Sequence, residues 1–301
     1  MGSVRDSTTS GSSDVAVRWL FQSSTVSLHS WHCRRTNGGP GAEEAQTHHE
    51  VAFVLGGAFE IRGPRGHTLA DPMTAVLLHA GEPYQIWHPL RKGDEGISLV
   101  VSAEILSDVN PGCAGTPPRR LAIPVAPRSH LLLSLLHRRL AAGTAADAME
   151  VEEMLIDLLR QSWNDAGGGP GRAEAAFAQP ADAHDRVVMA KRILAAGYDR
   201  PLLLAEIAAA VGVSVPHLCR LFRAETGFTL HRYLNRLRLR AALASMEAGR
   251  RDLSDVACSA GFSSHSHFTA AFRREFGLTP SFLREISARQ IRQCTLRCPA
   301  D

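Results

Sequence analysis

Short apolar runs broken by glycine and proline fill the first 124 residues, whereas apolar residues at helical spacing dominate the rest of the chain. Residues 25–28, 51–55, 75–78 and 96–101 are each of strand length and bounded by turn-forming clusters, which predicts β-strands from Trp19 to about Pro124. Leu132, Leu135, Leu136 and Leu140 fall on one helical face, as do Val151, Met154, Leu155 and Leu158, predicting helices over 128–140 and 149–163. A Gly/Pro/Ala stretch then separates this part from a second helical half. The expected organisation is a mobile tail over 1–18, a ligand-binding and dimerisation domain over 19–165, a linker over 166–185, a helical domain over 186–292 and a tail over 293–301. The dimer expectation rests on the two Leu-rich helices, which carry more leucine than one side of a small β domain needs.

The helical half repeats itself. Leu204-Ala-Glu-Ile-Ala-Ala-Ala-Val-Gly-Val-Ser parallels Leu253-Ser-Asp-Val-Ala-Cys-Ser-Ala-Gly-Phe-Ser, 49 residues further on. With one inserted residue, Leu218, Phe222, Arg223, Glu225, Gly227 and Thr229 then fall opposite Phe268, Phe272, Arg273, Glu275, Gly277 and Thr279. Each copy reads as a short helix, a turn at Gly212 or Gly261, and a second helix, the arrangement of a helix-turn-helix. Ser214, and Ser263 or Ser264, are candidate caps of the second helices, and Pro216 suits a first turn. Between the copies, 230–246 is a continuous amphipathic stretch, long enough at about 1.5 Å per residue to act as a stiff spacer; Arg232, Arg236 and Arg240 lie along one side of it.

Charge sharpens this picture. The whole chain carries +3, but residues 186–292 hold 17 basic and 8 acidic side chains, a local balance of +9. A basic, repeated helix-turn-helix half predicts a double-stranded DNA partner. Ser214, Pro216, His217, Cys219, Arg220 and Arg223 in the first copy, with Ser264, His265, Ser266, His267, Ala270, Arg273 and Arg274 in the second, are the expected contact residues. Residues near the start of each second helix suit bases and the later arginines suit phosphates, with Arg220 expected on a guanine.

The second copy, Ala257-x3-Gly261-Phe262-Ser263-x4-Phe268-x3-Phe272-x4-Gly277-x-Thr279-Pro280, resembles the signature of AraC/XylS-type transcription regulators. The resemblance covers about a hundred residues and implies seven helices, with both recognition helices set into successive major-groove segments. More loosely, the β-rich half, with His48-His49-Glu50, Gly57, His79-Ala-Gly81 and His88-Pro89, resembles the cupin-like sensory domain that precedes such units. This implies an N-terminal cupin-like antiparallel β-barrel with two helices, ahead of the all-α tandem helix-turn-helix domain.

His48, Glu50, His79, Tyr84, Trp87 and His88 are the candidate ligand-binding residues, at a barrel mouth where a small-molecule effector would sit. No cofactor or metal is expected. Along a strand His48 and Glu50 share a face that His49 does not, so the paired inward imidazoles of a metal-binding cupin are missing. The six cysteines include no Cys-x-x-Cys, and reduced thiols are expected. No apolar run reaches membrane-spanning length, so a cytoplasmic protein is expected, with no membrane partner. The reading is thus a DNA-binding regulator and not an enzyme, with homodimerisation expected and RNA polymerase a further candidate partner. The alternative, a cupin-type metal-dependent enzyme fused to a DNA-binding module, lacks a catalytic motif.

Overall fold

Alternation of side chains along the strands decides what the N-terminal half encloses. The computed structural model describes residues 14–36, 38–90, 92–109, 121–143, 147–165, 181–247 and 252–285. Ten strands are described: β1 (Val15–Gln22), β2 (Val26–Cys33), β3 (Glu44–Ala45), β4 (His49–Gly56), β5 (Phe59–Gly63), β6 (Gly66–Ala70), β7 (Thr74–Leu78), β8 (Pro83–Trp87), β9 (Asp94–Val101) and β10 (Ala122–Pro124). They form two antiparallel sheets, one ordered β1-β2-β9-β4-β7-β10 and one ordered β3-β8-β5-β6. The expected antiparallel β domain is therefore present, built as two sheets around a common interior. The first strand begins at Val15, so the segment expected as tail contributes its last residues to the sheet.

The larger sheet is buried on both faces. On β4, Val51, Phe53 and Leu55 join a core shared with helices, while Ala52 and Val54 join the core between the sheets. That double burial explains why β4 reads as a continuous apolar run where a half-exposed strand would alternate. Helices come next at Ala103–Val109, Pro127–Ala141 and Ala148–Asp165. The latter two match the expected pair, and the short first one was not foreseen.

Seven further helices are described: Ala181–Ala196, Leu204–Ala210, Val215–Thr226, Leu230–Glu247, Leu253–Ser259, His265–Phe276 and Pro280–Glu285. The first begins inside the stretch expected as linker, whose earlier residues 166–180 lie outside the described ones, as does the C-terminal tail.

The halves pack on one another. Leu131, Leu133, Leu135 and Leu136 of Pro127–Ala141 share one apolar core with Phe53 of β4, Leu239 and Leu243 of the connector Leu230–Glu247, and Phe268 and Phe272 of the second copy. The leucines that motivated a dimer are thus covered within the chain. Arg240, wholly buried, donates to the carbonyls of Pro72 and, at 2.6 Å, Val125. Lys191 Nζ donates to Leu69 O at 2.9 Å, and the Tyr233 hydroxyl donates to Asp71. Buried carbonyls satisfied by cationic donors avoid the penalty of an unpaired polar group.

Candidate functional site

The two copies are built alike. Val211 or Ala260 closes each short helix, and Gly212 or Gly261 turns the chain at φ +71° or +81°. Gly261 has a second reason to lack a side chain, since a Cβ there would come within 2.8 Å of Tyr198 O. Both second helices end at a left-handed glycine, Gly227 or Gly277, whose N–H donates to Arg223 O or Arg273 O.

Their inner rows are buried: Leu218 and Phe222 in the first, Phe268, Phe272 and Phe276 in the second. Their outer rows face solvent. Ser214, Pro216, His217, Arg220 and Arg223 are exposed, as are Ser264, His265, Ser266, His267, Ala270, Arg273 and Arg274. Cys219 departs from its expected place: it is half-buried and packs against the first copy's core. The caps also differ. Ser264 Oγ accepts from His267 N at 3.2 Å, whereas Ser214 makes no side-chain cap, Pro216 standing in the first turn.

The connector's arginines divide instead of forming one basic stripe. Arg232 is exposed and lies over the Phe228 ring, Arg236 is buried and bridges Glu275 at 3.0 Å, and Arg240 is buried against the β domain. Spacing by four puts residues on one helical side, but that side turns inward beyond its first turn.

The second site is a cavity of about 850 Å³ inside the β domain. Inward alternation supplies Ser27, His29, Trp31 and Cys33 from β2, Glu50 and Ala52 from β4, Asp94, Ser98 and Val100 from β9, and Tyr84 and Ile86 from β8, with His88 just beyond. Trp19, Phe59, Ile61, Val76 and Leu78 complete an apolar and aromatic wall. Gly96 makes room for it: a Cβ there would lie 2.4 Å from the Trp31 ring.

Of the expected ligand residues, His48, Glu50, Tyr84 and His88 line this cavity. His79 and Trp87 do not. His79 is buried edge-on against His49, and Trp87 lies under Arg62, 5.5 Å from its ring centre. Sequence reasoning missed Trp19 on β1 and His29, Trp31, Cys33 and Asp94 on β2 and β9; for the latter four the period of two along their strands was the available signal.

Burial sets the cavity's electrostatics. It lowers His29 to about 4, raises the Glu50 carboxyl, and raises the Cys33 thiol. His29 Nε2 stands 3.7 Å from Glu50, and its buried Nδ1 has no hydrogen-bond partner among the described residues. Cys33, His88 and Asp94 are the one trio of potential metal donors among the described residues. Asp94 Oδ2, however, holds His88 Nδ1 at 2.6 Å, while Cys33 Sγ is 3.6 Å from Nε2. The carboxylate therefore stands behind the ring, and an ion on Nε2 would gain only the imidazole and the thiol as direct ligands, fewer than a closed zinc site uses.

A repeated helix-turn-helix with two solvent-facing second helices defines the architecture of a tandem DNA-binding unit. Comparisons agree with it. Residues 207–286 match the family model described as "Helix-turn-helix domain". Over 80 residues the chain is 38% identical to the HTH-type transcriptional activator RhaS of Klebsiella pneumoniae (strain 342), which covers 27% of this chain and 29% of that one; over 73 residues it is 40% identical to RhaS of Escherichia coli (strain K12 / DH10B), covering 24% and 26%. An AraC-type DNA-binding protein structure from Chromobacterium violaceum is 30% identical across 38% of this chain and 98% of that one, with a TM-score of 0.34. Over this half the chain is thus similar to AraC/XylS-type helix-turn-helix regulators, and it spans less than a third of the length of the curated relatives it matches. Fatty-acid-bound ToxT from Vibrio cholerae is similar across 87% of this chain and 95% of its own, at 11% identity and a TM-score of 0.36, too loose a likeness to assign anything to the cavity.

Proposed function

We propose that the chain is a DNA-binding transcription regulator of the cytoplasm that reads two successive major-groove segments of one operator, under the influence of a small molecule held in the β-domain cavity. One observation carries the DNA reading: two second helices of the same build bury an inner row, Leu218 and Phe222 in one and Phe268, Phe272 and Phe276 in the other, and leave their outer rows in solvent. In this reading Pro216, His217 and Arg220, with Ser264 through His267 and Ala270, face base edges. Arg223, Arg273 and Arg274 neutralise phosphates, and the half-buried Cys219 contributes shape more than contact. The likeness to RhaS, itself described as an activator, supports activation as the direction of control.

The cavity supports the effector, since it is large, aromatic and lined by a few convergent polar groups. The test is a DNA selection from a random library with the full chain. Recovery of two half-sites about 10 bp apart, centre to centre, is the expected result. Salt-sensitive binding without sequence preference overturns the reading.

A further inference from the structure

The cavity holds a side-chain relay that DNA reading does not use. Cys33 ends β2 directly opposite Asp94 at the start of β9, and His88, just past β8, lies between them. Asp94 Oδ2 is 2.6 Å from His88 Nδ1, which fixes the tautomer: Nδ1 carries the proton and donates it to the carboxylate. The lone pair of Nε2 is therefore presented to Cys33 Sγ, 3.6 Å away. A thiol, a base within reach of it and a carboxylate behind the base form the arrangement of an activated nucleophile. All three line the cavity, beside Trp31 and Ile86.

We propose that Cys33 is a nucleophile served by His88 as base, and that the cavity takes α,β-unsaturated carbonyl compounds with an aromatic or apolar body as covalent ligands. The proposal rests on the reading of the cavity as an effector site and names its chemistry. His88 Nε2 takes the proton of Cys33 as Sγ adds to the β-carbon. An S–C bond forms, the C=C π bond breaks, and its electron pair passes into the enolate. The imidazolium then returns its proton to the α-carbon, and nothing leaves. Addition of this kind needs only a nucleophile and a returning proton, both of which the relay supplies. Asp94 is a positioning residue. Burial raises the thiol, so its reactivity depends on the base 3.6 Å away.

The test uses the full chain and 4-phenylbut-3-en-2-one, with adducts mapped by peptide mass spectrometry. Cys258, exposed in the helical half, is the internal reference. The expected result at pH 7 is adduct formation at Cys33 at least tenfold faster than at Cys258. In His88→Gln and Asp94→Asn the Cys33 rate should fall at least tenfold with the Cys258 rate unchanged. A Cys33 rate no faster than that of Cys258 in the unaltered protein overturns the proposal, with no variant needed.

The saturated analogue 4-phenylbutan-2-one, monitored by tryptophan fluorescence, separates this from the reading beneath it. Binding of the ketone without any Cys33 adduct overturns the covalent step and leaves the effector site standing. Absence of both binding and adduct overturns both. Fast adduct formation that leaves operator affinity unchanged supports the nucleophile and overturns the effector reading.

Discussion

The two helix-turn-helix copies share a backbone and differ in what surrounds it. The second copy stacks Phe262, Phe268, Phe272 and Phe276 in sequence, with successive ring centres 4.7 to 5.6 Å apart, inside the core it shares with the β domain. The first has Phe222 edge-on to Tyr233 at 5.2 Å, in a separate cluster reached from the β domain by Met73. Equivalent glutamates have found different partners. Glu225 bonds His184 at 2.9 Å, and Glu275 bridges Arg236 of the connector. The turn glycines and the phenylalanine pair Phe222 and Phe272 are kept, while outer rows and flanking ion pairs have diverged. A duplicated unit can thus present two unlike surfaces on one scaffold.

The largest effect that would break this comparison is in the core. Phe268→Ala should lower unfolding free energy by about 3–5 kcal/mol, read in urea by the fluorescence of Trp163, which lies in the same core. A loss under about 1 kcal/mol would show that the second copy is not part of that core.

Next comes the outer surface. Arg220→Ala should cost about 1–3 kcal/mol of binding at one base position, while Arg273→Ala should weaken all sequences alike and flatten the salt dependence. Equal losses for Arg220→Ala on matched and mismatched DNA would reject base reading by the first copy.

The caps sharpen the contrast further. Ser264→Ala should cost about 1 kcal/mol and Ser214→Ala only a few tenths, because only Ser264 accepts a backbone N–H. Equal costs in thermal melts would erase the distinction.

The smallest effect is a pH dependence at His184, the partner of the first copy's Glu225. The hydrogen bond from Glu225 raises His184 against the opposing pull of burial. A histidine raised in the folded state stabilises fully below its ordinary 6.5 and loses that contribution as pH rises through its folded value. The stability advantage of the unaltered chain over His184→Gln should therefore shrink as pH rises above the ordinary 6.5. A constant difference would assign the role of His184 to its other contact, with His67 O at 2.7 Å.

Local pattern made the helical half legible, because the repeat, the turn glycines and the inward phenylalanines are all written within a few residues of one another. The same logic failed for Arg236 and Arg240. Spacing placed them on one side of the connector, but what that side meets is Glu275 in one case and the β domain in the other, information carried elsewhere in the chain. In the cavity the difficulty was parity. Tyr84, Ile86 and His88 alternate inward, so Trp87 must turn away, and His79 comes after the inward Leu78 and does likewise. Cys33 and Asp94 are 61 positions apart and meet only because β2 and β9 pair in that register, which nothing in either segment announces.

Strand β4 has a consequence of its own. It is a party wall one peptide thick: Glu50 and Ala52 project into the cavity, Val51 and Phe53 into the core that also holds Leu239 and Phe268. Neighbouring side chains on such a wall hang from one backbone, so a guest that pushes Ala52 aside moves Phe53 by the same stroke. In an interior packed this tightly, such a shift is passed to the side chains around Leu239 of the connector and Phe268 of the second copy.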